Sequence, residues 1–127
     1  MIKFMVTTVE CYEEDGVLTV ALGDDAFDPK NFIIISRLDD EDNETVDQCI
    51  GLQTGKSQYE AADAIKSVVL NQDYLEVLVK PEFVDHFGEA KIVGEFPLGD
   101  GVTKDEISKL RTYLSKIFTG SQVVLLL

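Results

Sequence analysis

Apolar and polar residues alternate along Ile2 to Tyr12 and again along Val17 to Leu22, the period-two pattern of strands that turn one face to a core. Between these runs stands Asp15-Gly16. A type I′ turn needs positive φ at both central positions, so this dipeptide reads as the loop of a hairpin. Two loop residues fix the pairing: Cys11 opposite Val20, Val9 opposite Leu22 and Glu13 opposite Leu18, with Tyr12 facing Thr19 and Glu10 facing Ala21 on the other side. Cys11 is thereby directed into the core, where a thiol serves as packing rather than as a nucleophile.

Asp28-Pro29 marks a connection, and the uncharged run Phe32 to Ile35 has the β-branched density of a central strand buried on both faces. A further strand is expected around Gln48 to Gln53, with bends or a bulge signalled by Gly51 and Gly55 beside Lys56 and Ser57. Ala64 to Leu70 and Tyr74 to Lys80, joined by Asn71-Gln72-Asp73, read as a second hairpin with Leu75, Val77 and Val79 on its apolar face. Pro81 opens a short helix near 82–87, through His86 or Phe87, and Gly88 stops it. Ala90 to Leu98 is extended again.

The clearest helix covers Lys104 to Phe118. Thr103 is its N-cap, Glu106 completes a capping box, and Ile107, Leu110, Leu114, Ile117 and Phe118 form one stripe that ends before Gly120. The wholly apolar Val123 to Leu127 reads as a docked terminal strand, with a dimer contact as the rival reading. The expected class is α+β: a mostly antiparallel sheet packed against one long C-terminal helix, with the short helix near 82–87. The chain has 127 residues, 45% of them hydrophobic, which supports one sizeable core and therefore a single domain over 1–127.

Charge changes the picture. With 24 acidic against 11 basic side chains the net charge is −13, so contacts with nucleic-acid phosphates or an anionic membrane surface would have to overcome repulsion. Asp39, Asp40, Glu41, Asp42, Glu44 and Asp47 place six carboxylates in nine positions, in a stretch whose one apolar residue is Val46. Such a stretch is a solvated loop, and its field favours rapid, salt-sensitive association with a cationic protein. A merely solubilising surface is the plain alternative. The first residues carry no cleavage pattern and no apolar run reaches the roughly 20 residues of a membrane helix, so a cytoplasmic protein with Cys11 and Cys49 as free thiols is expected.

Catalytic and metal motifs fail on spacing. Against the calcium-loop template the acidic stretch has Glu44 where glycine is required and Ile50 where the bidentate carboxylate belongs. His86, the one histidine, has Asp85 beside it in sequence, but adjacent helical residues diverge by about 100°, and no serine or cysteine stands in a nucleophile motif. Gly51 to Ser57 is one residue short of a phosphate loop. Asp24 and Asp25 are paired carboxylates in a loop rather than in a cleft. A non-enzymatic protein without cofactor or metal is expected.

Glu14-Asp15-Gly16-Val17-Leu18, Ala21-Leu22-Gly23-Asp24-Asp25 and Phe32-Ile33-Ile34-Ile35-Ser36-Arg37 come in that order before the acidic stretch. Asp73-Tyr74-Leu75-Glu76-Val77 and the final helix follow it. In this order and pattern, over roughly residues 9–118, the chain resembles the immunity protein 10 family. It departs from that pattern at Tyr59 to Asp63, where a glycine-rich stretch is expected. The resemblance implies an immunity protein of a bacterial polymorphic-toxin or contact-dependent inhibition system, which binds a cognate toxin domain in the producing cell and blocks it. The expected partner is a basic toxin protein, met through Asp39, Asp40, Glu41, Asp42, Glu44 and Asp47 by a monomer or homodimer. An acidic interaction or structural module unrelated to toxins is the alternative.

Overall fold

A computed structural model describes residues 1–57, 59–97 and 102–127. Strands β1 (Ile2–Met5), β2 (Thr8–Glu14), β3 (Val17–Gly23), β4 (Phe32–Arg37), β5 (Ile50–Thr54), β6 (Ala61–Ala62), β7 (Ile65–Leu70) and β8 (Tyr74–Val79) come first. The short helix α1 (Val84–Phe87), β9 (Lys91–Glu95), the long helix α2 (Lys104–Ile117) and β10 (Val124–Leu126) follow. The α+β class is as expected, but the strands divide into two sheets. One is the antiparallel meander β2-β3-β4-β5-β6, and the other has the order β1-β9-β8-β7-β10. In the second sheet β1 lies parallel to β9 and β10 parallel to β7.

The first hairpin has the register its turn dictates, with Cys11 on Val20, Val9 on Leu22 and Glu13 on Leu18. Asp15 (φ 53°) and Gly16 (φ 80°) both occupy the left-handed region. Pairing carries that register onward: Cys11, Val20, Ile35 and Leu52 form one cross-strand row, facing the core. β4 is the central strand of the meander, yet only Ile33 and Ile35 are fully buried, while Ile34 is half-buried on the outer face. The second hairpin pairs β7 with β8, and the Asn71 side chain accepts the amides of Asp73 (2.9 Å) and Tyr74 (3.0 Å) to close its loop. Pro81 begins a one-turn 3-10 segment that runs into α1, and Gly88, at φ 79°, ends it. The strand expected at 90–98 is observed as Lys91–Glu95, and Leu98 lies outside the described residues.

Helix α2 begins with the expected capping box. Thr103 Oγ1 accepts the Glu106 amide (3.1 Å), and Glu106 Oε1 accepts the Thr103 amide (3.1 Å). Its buried stripe of Leu110, Leu114 and Ile117 enters the same cluster as Ile33, Ile35 and Leu52 of the meander and Val68, Leu75, Val77 and Ile92 of the second sheet. Two sheets and a helix thus share one core. Each fully buried aliphatic side chain contributes about 1.5–3 kcal/mol.

Where the sheets meet, side-chain volume is the limit. A Cβ on Gly94 of β9 would lie 2.8 Å from Val6 Cγ2, with Phe4 and Ile33 next nearest. The open edges are guarded unequally. β1 carries Lys3, β2 carries Glu10, Glu13 and Glu14, and two-residue β6 is flanked by Glu60 and Asp63. β10 has no charge, and Val124 and Leu126 are more than half exposed.

The close approach at Gly94 predicts that Gly94→Val, by overpacking, lowers the unfolding free energy by about 1–3 kcal/mol. The urea midpoint measures this, and an unchanged midpoint would show that the sheets are free to separate there.

Candidate functional site

The acidic stretch leaves the end of β4 and returns through a single 3-10 turn at Asp47–Cys49. Its conformation is held by bonds of its own. The Asn43 amide donates to the Asp40 carbonyl (3.1 Å) and the Asp42 amide to Asp40 Oδ1 (2.9 Å). The Glu44 amide donates to Gln48 Oε1 (2.7 Å), and the Gln48 amide to Thr45 Oγ1 (3.2 Å). At its base the Leu38 amide donates to the Cys49 carbonyl (3.1 Å). These contacts satisfy backbone groups from within the loop itself, which preorganises it.

The six carboxylates have different employments. Asp40, Glu41, Asp42 and Glu44 are exposed and, among the described residues, have no ion-pair partner. Asp40, Glu41 and Glu44 rim an open depression of about 400 Å³ that also touches Arg37, Asn43 and Cys49. Asp39 is exposed but accepts a 2.8 Å bond from Arg37 Nε. Asp47 is half-buried, accepting the Ser121 hydroxyl and the Gln122 amide (3.2 Å), so its carboxylate fastens the turn after α2 rather than facing outward.

Arg37 is the hinge-pin of this region. Its guanidinium donates through Nη1 to the carbonyls of Ile117 (2.9 Å) and Thr119 (2.7 Å), at the end of α2, while Nε holds Asp39. Orphan carbonyls at a helix C-terminus carry partial negative charge, and a cation there is stabilising. The sequence pattern does not single out Arg37, although it shares the core-facing parity of Ile33 and Ile35, which is an unusual place for a charge.

Other candidates separate from this loop. The Asp24 and Asp25 carboxylates organise the segment between β3 and β4. Asp24 accepts the amides of Lys30 (3.0 Å) and Asn31 (3.3 Å) and the Asn31 side chain (3.1 Å). Asp25 Oδ1 accepts the amides of Phe27 (2.8 Å) and Asp28 (3.4 Å). Desolvation pushes the Asp24 carboxyl up, but the hydrogen bonds from the Asn31 side chain and from the Asn31 and Lys30 backbones outweigh it and hold the group below its usual 3.8. His86 Nε2 lies 3.0 Å from the Tyr59 carbonyl oxygen, and its ring packs against Tyr59 and Phe87. Ser57 closes a tight turn on Thr54 where the phosphate-loop spacing failed.

Among the described residues no three His, Cys, Asp or Glu side chains converge as a metal site. No helix there is long and apolar enough to cross a membrane. Both cysteines are free thiols. Burial pushes the Cys11 thiol up to about 11; the Lys109 ammonium pulls it down and the Glu106 carboxylate adds to the rise.

Two predictions follow from these environments. Iodoacetamide at pH 8 should alkylate half-buried Cys49 and leave Cys11 unmodified in the folded protein, and peptide mass analysis reads the difference. Because the folded value for Asp24 is depressed, its stabilising contribution is present above 3.8 and is lost as pH falls through the folded value. Asp24→Asn should therefore be less stable than the parent at pH 7, with the difference shrinking as the pH is lowered below 3.8, by urea unfolding across an acid pH series.

Neither a scan against protein-family models nor a search of curated proteins finds a match to the chain.

Proposed function

We propose that this protein neutralises a cognate bacterial toxin domain by forming a stoichiometric complex with it in the cytoplasm of the producing cell, with the acidic loop as docking element. The observation that carries the reading is the set of four exposed carboxylates, Asp40, Glu41, Asp42 and Glu44, which have no ion-pair partner among the described residues and stand on a loop held by its own hydrogen bonds. Like charges crowded on a compact body disfavour folding, and a cationic partner relieves that cost. Preorganisation keeps the ordering cost of binding small. The resemblance to the immunity protein 10 family supplies the kind of partner, and the net charge of −13 supplies its sign.

A toxin that acts on a polyanion such as nucleic acid carries the positive surface this loop complements. Neutralisation then works by occupancy of that surface rather than by turnover. Association is fast and salt-sensitive, because charge acts during the encounter over a screening length of about 8 Å at physiological ionic strength.

The toxin domain encoded beside this gene, co-expressed and co-purified, is the direct test. The quadruple variant Asp40→Asn, Glu41→Gln, Asp42→Asn, Glu44→Gln spares the two anchoring carboxylates, Asp39 and Asp47. It should fold with an unchanged or raised melting temperature, associate about tenfold more slowly at low salt, and show a flatter salt dependence. Failure of the parent protein to bind the toxin would end the reading, and unchanged kinetics in the variant would remove this loop from it.

A further inference from the structure

Phe27 is 97% exposed, an extreme for an aromatic side chain, and it stands on a segment built to hold still. Residues 24–31 are closed at the base by the Asp24 amide on the Asn31 carbonyl (3.1 Å) and clamped within by the Asp24 and Asp25 carboxylates. Gly55 lies so close under the Lys30 carbonyl that any Cβ there would collide with it, so the segment packs directly on the turn after β5. Two carboxylates are thus committed to displaying a phenylalanine in water. Rigid display of an aromatic lowers the entropy cost of burying it in an interface.

Beside this segment, on the outer face of the meander, lies a hollow of about 250 Å³. Ala21, Pro29, Phe32 and Ile34 give it apolar walls, and exposed Glu10 and Asp25 stand at its margin. Apolar walls with carboxylates above them match an arginine or lysine whose alkyl stem is buried while its cation stays at the rim. The hollow and the acidic loop adjoin opposite ends of β4, whose six residues span about 17 Å. A standard interface of about 800 Å² per partner covers both ends.

We propose that the Phe27 segment and this hollow form a second contact for the same basic protein partner, with Phe27 as aromatic anchor and the hollow receiving a basic side chain. The inference rests on the reading of the acidic loop and adds a division of labour to it. Exposed charges at one end of β4 set the rate of encounter, and buried aromatic and stem contacts at the other set the residence time.

The experiment compares wild type, Phe27→Ala and Glu10→Lys against the co-purified toxin domain by stopped-flow association and dissociation. Phe27→Ala should keep its melting temperature and on-rate while its Kd rises about thirtyfold through faster dissociation. Glu10→Lys should also dissociate faster, because the introduced ammonium repels the incoming cation. Wild-type dissociation rates in both variants, with normal toxin binding by the parent, would overturn this inference and leave the acidic-loop reading standing. Absence of binding by the parent itself would overturn both. A shift in sedimentation between wild type and Phe27→Ala, with toxin kinetics unchanged, would assign the surface to a second copy of this chain and equally overturn the proposal.

Discussion

Two neighbouring amides hold the architecture together. Val6 donates to the Glu95 carbonyl (2.8 Å) in one sheet and Thr7 donates to the Gly23 carbonyl (2.8 Å) in the other, so the chain changes sheets between consecutive residues. That crossing places Val6, fully buried, against Gly94, and only a residue without a side chain lets the sheets come this near. From that closeness follows the single shared core, from which the segments at both ends of β4 emerge, each held by local hydrogen bonds of its own. The site surfaces are extensions of a packed body rather than flexible appendages.

The negative charge has two populations that composition alone merges. Asp24, Asp25, Asp39 and Asp47 are structural, each accepting donors that fix a turn or a helix end. Asp40, Glu41, Asp42 and Glu44 stand largely free of such duty, although Asp40 also accepts a local amide. The distinction matters for recognition, because a carboxylate already bonded in the free protein gives up those bonds to meet a partner, whereas a solvated one gives up only water.

Local chemistry made much of this legible in the sequence. The Asp15-Gly16 turn sets the register of the first hairpin pair by pair, and the Thr103–Glu106 box locates the start of α2 to the residue. Exposure of the acidic loop follows from its lack of apolar residues. What was not legible is non-local. Alternation states which face of a strand is apolar but not which strand lies beside it, so the split into two sheets and the parallel pairs β1 with β9 and β10 with β7 have no sequence signature. Arg37 and Phe27 escaped for a related reason: the bonds of Arg37 reach residues 80 and 82 positions away, and the display of Phe27 depends on Asp25 accepting its amide.

Four edges of the two sheets lie open, and charge or shortness of the edge strand guards three of them. β10, bare of charge, is shielded instead by the long-range repulsion between whole molecules. That shield is global, so whatever neutralises the acidic loop also withdraws it from this strand, which begins two residues beyond the Asp47 contact at Gln122. A complex that brought the molecule near electroneutrality would therefore inherit a sticky flank that the free protein's charge keeps apart from its copies, and colloidal behaviour would become a property of the bound state.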